Sequence, residues 1–185
     1  MFEALALLFS AFLTVAEAPQ TLPQADAAVV VLQNADTAAV AASLSDSIAT
    51  PGVVTANALI AYAQTFKGTR YKYASADPAK GFDCSGFVMY VFNHFQMTVP
   101  RSSIGYSKVG QEVELKDALP GDLILFTGTN AKIRKIGHVG IITQANEDDS
   151  ISFIHASSGK AYSVTETTLG DHYKKRFMKV VRLLH

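Results

Sequence analysis

The hydrophobic positions of this chain change period about half-way along it. Ala58, Leu59, Ala61, Tyr62, Ala63 and Phe66 recur at helical spacing, with Thr55 or Asn57 placed to cap the helix and Gly68 to end it. Phe87, Val88, Tyr90, Val91 and Phe95 fall at i, i+1, i+3, i+4 and i+8. That predicts a buried helix starting near Cys84, with Asp83 as its N-cap. Beyond it come short apolar or alternating runs over 122–127, 138–143, 151–155 and 177–183, rich in Val, Ile and Phe. Gly, Asn, Asp and Lys separate them, which is strand-and-turn punctuation. Helices first and strands afterwards predict an α+β domain over residues 55–185, its N-terminal helices packed on a central antiparallel sheet. There is no βαβ alternation and no Gly-rich phosphate loop, so nucleotide chemistry is not expected.

The first 54 residues read differently. Ala4 to Val15 is an apolar run followed by Ala16-Glu17-Ala18, which predicts an export signal over residues 1–18. Glu3 stands where such signals carry a positive charge, and an apolar helix packed on the domain is the alternative. The run is too short to span a bilayer, and no cysteine follows it to carry a lipid, so no stable membrane anchor is expected. Residues 19–54 form an Ala-rich linker or arm with Pro19, Pro23 and Pro51, in which Ala27 to Ala42 can make one helix. A periplasmic or secreted location follows.

Composition narrows the classes. With 185 residues, 49% hydrophobic and 17% charged, the chain can bury one substantial core. One cysteine excludes an intrachain disulfide and any zinc site built from several thiolates. All 16 Lys and Arg lie between Lys67 and Arg182, whereas five of the 16 acids precede them, so the first 66 residues carry −5 and the remainder +5. The basic runs Lys132-Arg134-Lys135 and Lys174-Lys175-Arg176 are short and read as solvated surface. No nucleic-acid partner is expected, and the chain is expected to be a monomer.

Cys84 is the first candidate for chemistry. A lone cysteine is usually a small buried hydrophobe, but at the start of a helix unpaired N–H groups and the dipole favour a thiolate. Asp83 opposes this, so a basic partner is needed. His94 lies ten residues along the same helix, about 15 Å away, out of reach. His172 and His185 sit in polar or terminal sequence. His138, in Gly137-His138-Val139-Gly140-Ile141, opens one strand, and its flanking glycines permit close approach. His155, in Ile154-His155-Ala156-Ser157, ends the next. Antiparallel pairing makes them neighbours, giving a thiol, a base and a group that orients the base. A zinc site of one Cys and two His is the metal-based alternative, without a recognisable ligand spacing.

Taken in order, Phe82-Asp83-Cys84-Ser85-Gly86-Phe87-Val88, Pro100-Arg101-Ser102, Leu119-Pro120-Gly121-Asp122-Leu123 and the two histidine segments resemble the NlpC/P60 cell-wall cysteine peptidases. Gly68-Thr69-Arg70-Tyr71-Lys72-Tyr73 is similar to that family's segment before the nucleophile. The resemblance covers about residues 55–184 and implies a papain-like fold, with a helix carrying Cys on a sheet carrying His. It implies hydrolysis of peptidoglycan stem peptides, usually at the γ-D-glutamyl–diamino acid bond, without metal or organic cofactor. Position by position, Cys84 matches the nucleophile, His138 the general base and acid, and His155 the polar third residue. Tyr71 matches a tyrosine that lines the site and helps hold the oxyanion. Asp83 and Ser85 match residues that bind the free stem-peptide amine, and Arg101 a site-adjacent arginine or a structural ion pair. Departures are Ala74-Ser75 in place of a glycine pair, Tyr106 in place of glutamine, and longer loops at 127–136 and 144–150. A thiol amidase or acyltransferase on another substrate, and a catalytically silent wall-binding module, remain as rivals.

Overall fold

A computed structural model of the chain describes residues 54–146 and 150–185. The export signal and nearly all of the Ala-rich arm, including its helix, lie outside these residues. Val54 packs against the core and so belongs with the folded part.

Helix α1 (Ala56–Gln64) starts where the Thr55 hydroxyl accepts from the Ala58 N–H at 3.2 Å. A small antiparallel ribbon of β1 (Ala76–Asp77) and β2 (Gly81–Phe82) leads into α2 (Cys84–His94). The Asp83 carboxylate accepts from the Gly86 N–H at 2.6 Å, which fixes Cys84 as the first residue of α2. The rest of the chain makes β3 (Gln111–Val113), β4 (Leu123–Thr127), β5 (Ile136–Ala145), β6 (Ile151–Ala156), β7 (Val164–Thr168), the short α3 (Asp171–Lys174) and β8 (Phe177–Arg182). These strands form one six-stranded antiparallel sheet in the order β3-β8-β4-β5-β6-β7. The molecule is thus α+β, as the change of period predicts.

Both faces of the sheet are covered, which is why all five residues of β4 are buried. On one face Phe87, Val88, Val91 and Phe92 of α2 pack with Leu125, Val139, Ile141 and Ile154. On the other, Ile124, Phe126, Ile142, Phe153 and Val180 form a second cluster, with Tyr173 and Phe177 against it. Tyr106, one of the departures from the family pattern, is fully buried in the α2-side core and donates its hydroxyl to the Ser85 carbonyl at 3.2 Å. Strands β3 and β7 carry too few apolar residues to show in the pattern. Each forms because a stronger neighbour, β8 or β6, supplies its hydrogen bonds.

The chain leaving α1 pairs with residues 162–164, at the start of β7. Gly68 N–H donates to the Val164 carbonyl at 2.9 Å, Val164 N–H to Thr69 at 2.8 Å, and Tyr71 N–H to Tyr162 at 2.8 Å. This covers the start of an edge strand and delivers Tyr71 to the site.

Asp122 holds the far end together. Its carboxylate accepts from Arg182 Nε and Nη2, each at 2.8 Å, and from the Leu119 N–H at 2.8 Å. Asp122→Ala leaves a partly buried guanidinium unpaired and is expected to lower unfolding free energy by about 3 kcal/mol. Urea titration measures this. A change under about 1 kcal/mol would show the pair to be dispensable.

Candidate active site

Cys84, 8% exposed, opens α2 at the floor of a cleft of about 480 Å³. Tyr71, Ala74, Asp83, Ser85, Arg101 and Gly137 line it with Cys84. Ala74 adopts φ +57°, a left-handed backbone that glycine takes without strain and alanine does not. The Cys84 Sγ meets β5 at the Gly137 carbonyl, 4.0 Å away. The sulfur's hydrogen-bond partner is therefore the backbone beside His138 rather than the imidazole ring. Flanking glycines make this strand approachable: a Cβ on Gly137 would lie 2.9 Å from Gly128, and one on Gly140 2.7 Å from the Phe153 ring.

His138 and His155 are joined through Nε2 and Nδ1 at 2.8 Å. The antiparallel register of β5 and β6 produces this, since both rings project to the face that carries Phe126, Phe153 and Tyr173. His155 Nε2 continues the chain to Thr167 Oγ1 at 3.1 Å and the Tyr173 hydroxyl at 3.4 Å. His94 stacks on Tyr62 at 3.7 Å, at the other end of α2. His172 and His185 are exposed.

Burial dominates the electrostatics. It raises the Cys84 thiol pKa, with the Asp83 carboxylate adding to the effect, while backbone N–H groups of Val139, Ser85 and Cys84 pull the other way. Burial, then His155 and Arg176, holds His138 well below the usual imidazole range. His155 is pushed down to about 3 by burial and by Arg176. Tyr71 is pushed up to about 12, first by burial and then by Cys84 and Asp83. Burial thus favours the neutral form of the Cys84 thiol and of both imidazoles.

Asp83 and Arg101 form a forked ion pair, Nη1 to Oδ1 at 2.9 Å and Nη2 to Oδ2 at 2.7 Å, with Ser85 Oγ donating to Oδ1 at 3.2 Å. Both Asp83 oxygens already accept, so the carboxylate in the cleft wall is already paired with a cation. Three further residues at the site escaped the sequence reading. Thr167 lies in the polar run of β7 and gives no signal. Tyr173 and Arg176 lie in or next to the basic run read as surface, yet Arg176 is 8% exposed and corrects that reading. Its Nε and Nη2 donate to the carbonyls of Gly128 and Thr127, each at 3.0 Å.

Residues 68–182 match the NlpC/P60 family. The chain is 34% identical over 121 residues to the gamma-DL-glutamyl hydrolase of Bacillus subtilis (strain 168), an alignment covering 65% of this chain and 27% of that protein. It is 32% identical over 121 residues to the murein DD-endopeptidase MepS/murein LD-carboxypeptidase of Escherichia coli (strain K12), covering 64% and 58%. The chain thus spans about a quarter of one relative and under two thirds of the other. A crystal structure of an NlpC/P60 family protein from Bacillus cereus superposes with a TM-score of 0.63 at 28% identity, covering 72% of this chain and 41% of that one. With the ordered motifs, the helix-borne cysteine, the histidine pair on an antiparallel sheet and a match over residues 68–182, the chain belongs to the NlpC/P60 family.

Proposed function

We propose that the protein is a thiol endopeptidase that hydrolyses amide bonds of peptidoglycan stem peptides outside the cytoplasm. The observation that carries this is Cys84 at a helix N-terminus, its sulfur held against the Gly137 carbonyl next to a His138–His155 pair. The name of one relative, a murein endopeptidase, supports the substrate class, and that of the other, a gamma-DL-glutamyl hydrolase, supports a γ-glutamyl bond as the one cut.

In this reading Cys84 is the nucleophile and His138 the base. His138 Nε2 is engaged by His155, which leaves Nδ1 to take the thiol proton. Nε2–H must then donate to His155 Nδ1, so His155 carries its own proton on Nε2 and donates it to Thr167 or Tyr173. The thiol and imidazole are both neutral at rest, so proton transfer accompanies attack and the contact tightens with substrate bound. The thiolate adds to the carbonyl, and the oxyanion faces the Cys84 N–H and the Tyr71 hydroxyl. His138 protonates the departing amine, and water then releases the acyl group from sulfur. Thr167 acts as a positioning residue. Thr167→Val is expected to lower kcat about tenfold with KM unchanged, and Thr167→Ser to restore it. Equal loss in both variants would leave Thr167 a packing residue only.

Digestion of defined stem peptides followed by mass analysis tests the function. Cleavage between glutamate and the diamino acid is expected, with a chelator making no difference. Loss on chelation, restored by zinc, would favour the metal reading, and binding without cleavage the silent module. Because Asp83 is paired with Arg101, acetylating the peptide's amine is expected to change kcat/KM less than about threefold. A tenfold loss would mean that Asp83 exchanges Arg101 for the amine.

A further inference from the structure

Against His138 lies a cavity of about 170 Å³. Its wall includes His138, Ser157, Ser158, His172, Tyr173 and Arg176. Arg176 is the unusual member. It is a buried cation, and among the described residues no carboxylate lies within ion-pair distance of it. Two of its nitrogens hold the Gly128 and Thr127 carbonyls, Nη1 meets His172 Nε2 at 3.2 Å, and the guanidinium lies 5.2 Å from the Tyr173 ring centroid. Carbonyl dipoles and a ring face offset only part of the cost of burying a charge, and a counter-anion offsets far more. A guanidinium has five N–H donors, and with the Tyr173 side chain also bonded to Arg176, one donor remains for a ligand.

The cavity is not isolated from the cleft. It shares Thr129 with a groove of about 330 Å³, and that groove shares Gly137 with the Cys84 cleft. Shared wall residues, Gly137 and then Thr129, thus link the Cys84 cleft to the cavity that holds Arg176. The acyl half of a substrate occupies the Cys84 cleft. The amine half must lie within hydrogen-bond reach of His138, which protonates it, and so extends toward Thr129 and Arg176. An amino-acid leaving half carries a carboxylate, the group that an arginine fork reads best.

We propose that this cavity is a carboxylate subsite for the leaving half of the substrate, with Arg176 as the residue that recognises it. The inference rests on the hydrolase reading given above. It also gives Arg176 a second consequence. After burial and His155, the Arg176 charge also depresses His138, and a bound carboxylate would offset that charge and make His138 the better base for the thiol proton.

The test uses the intact wild-type protein and two stem peptides that differ only in the leaving half, one with free carboxylates and one with carboxamides. The expected result is at least a tenfold higher kcat/KM for the carboxylate form. The released amino acid is expected to inhibit as a carboxylate and not as its amide. Inorganic phosphate at equal concentration is expected to inhibit much less. Equal cleavage of both peptides overturns the inference while leaving the hydrolase reading in place; if neither is cleaved, both fall together. Inhibition by phosphate as strong as by the product would make the cavity a general anion site and likewise overturn it. Arg176→Gln, checked for folding by circular dichroism, is expected to bring the two peptides within about twofold of each other. A retained preference in the folded variant would place recognition elsewhere.

Discussion

Cys84→Ser is expected to lower kcat/KM for amide hydrolysis by about 10⁴-fold or more, and His138→Ala by a similar factor. Serine keeps the shape of the side chain at a site that is 8% exposed, so the fold should survive with an unfolding free energy within about 1 kcal/mol of wild type. What serine lacks is an acidity that a weak base can use. His138, held low by burial, is a poor acceptor even for a thiol and a far poorer one for an alcohol. Groups that act as a unit are not additive, so the double variant Cys84→Ser/His138→Ala should be no slower than either single one. Initial rates on a defined stem peptide, with thermal unfolding alongside, check this. Substantial activity in either single variant would remove that residue from the mechanism, and a further large loss in the double variant would show that the two act independently.

Acidification from pH 7 to pH 4 is expected to cost the fold several kcal/mol. His155 is buried and neutral with a pKa of about 3, whereas in the unfolded chain it returns to about 6.5. Between those values the unfolded state binds a proton that the folded state does not. The stability is fully present above about pH 6.5, falls as pH drops below it, and levels off near pH 3. At pH 4 the loss from His155 alone is on the order of 3 kcal/mol. His138 is shifted the same way by the same burial and adds to it. Urea midpoints across pH 4–8 measure the slope, and His155→Gln should flatten it. A wild-type stability that is level from pH 7 to pH 4 would mean that the histidines are protonated in the folded protein. Activity should follow a related rule, with kcat/KM holding down to well below pH 6.5 because only a protonated His138 is unable to act as base.

The parts of the fold legible in the sequence are those whose burial dictates composition. Helix α2 shows because one of its faces must meet the sheet, and Asp83 shows as its cap because only a short polar acceptor satisfies the Gly86 N–H. Strands β4, β5, β6 and β8 show because the sheet is covered on both faces. Strand β7 does not, since Thr165, Glu166 and Thr167 are half-exposed and their strand character comes from β6 alone. The same logic divides the site. Cys84, His138 and His155 are rare residue types at marked positions. Thr167 and Arg176 are common types in polar surroundings, and only the pairing of β7 with β6 and the packing of the α3 segment against the histidine pair reveal what they touch. Arg176 is the sharpest case, because a basic residue next to two lysines is read as solvated until its guanidinium is found on the Thr127 and Gly128 carbonyls.

The backbone run from Gly68 to Tyr71 pairs with residues 162–164, where β7 begins, and at the same time places Tyr71 in the wall of the cleft. An uncovered strand edge is a template for pairing with another chain. At the opposite edge β3 has only three residues, and Glu112 there pairs with Lys179. Loosening the 68–71 run would therefore do two things at once: Tyr71 would leave the site, and an edge suited to cross-chain strand addition would open. Loss of activity and loss of solubility in variants of this segment should then appear together, at concentrations where the parent chain stays dispersed.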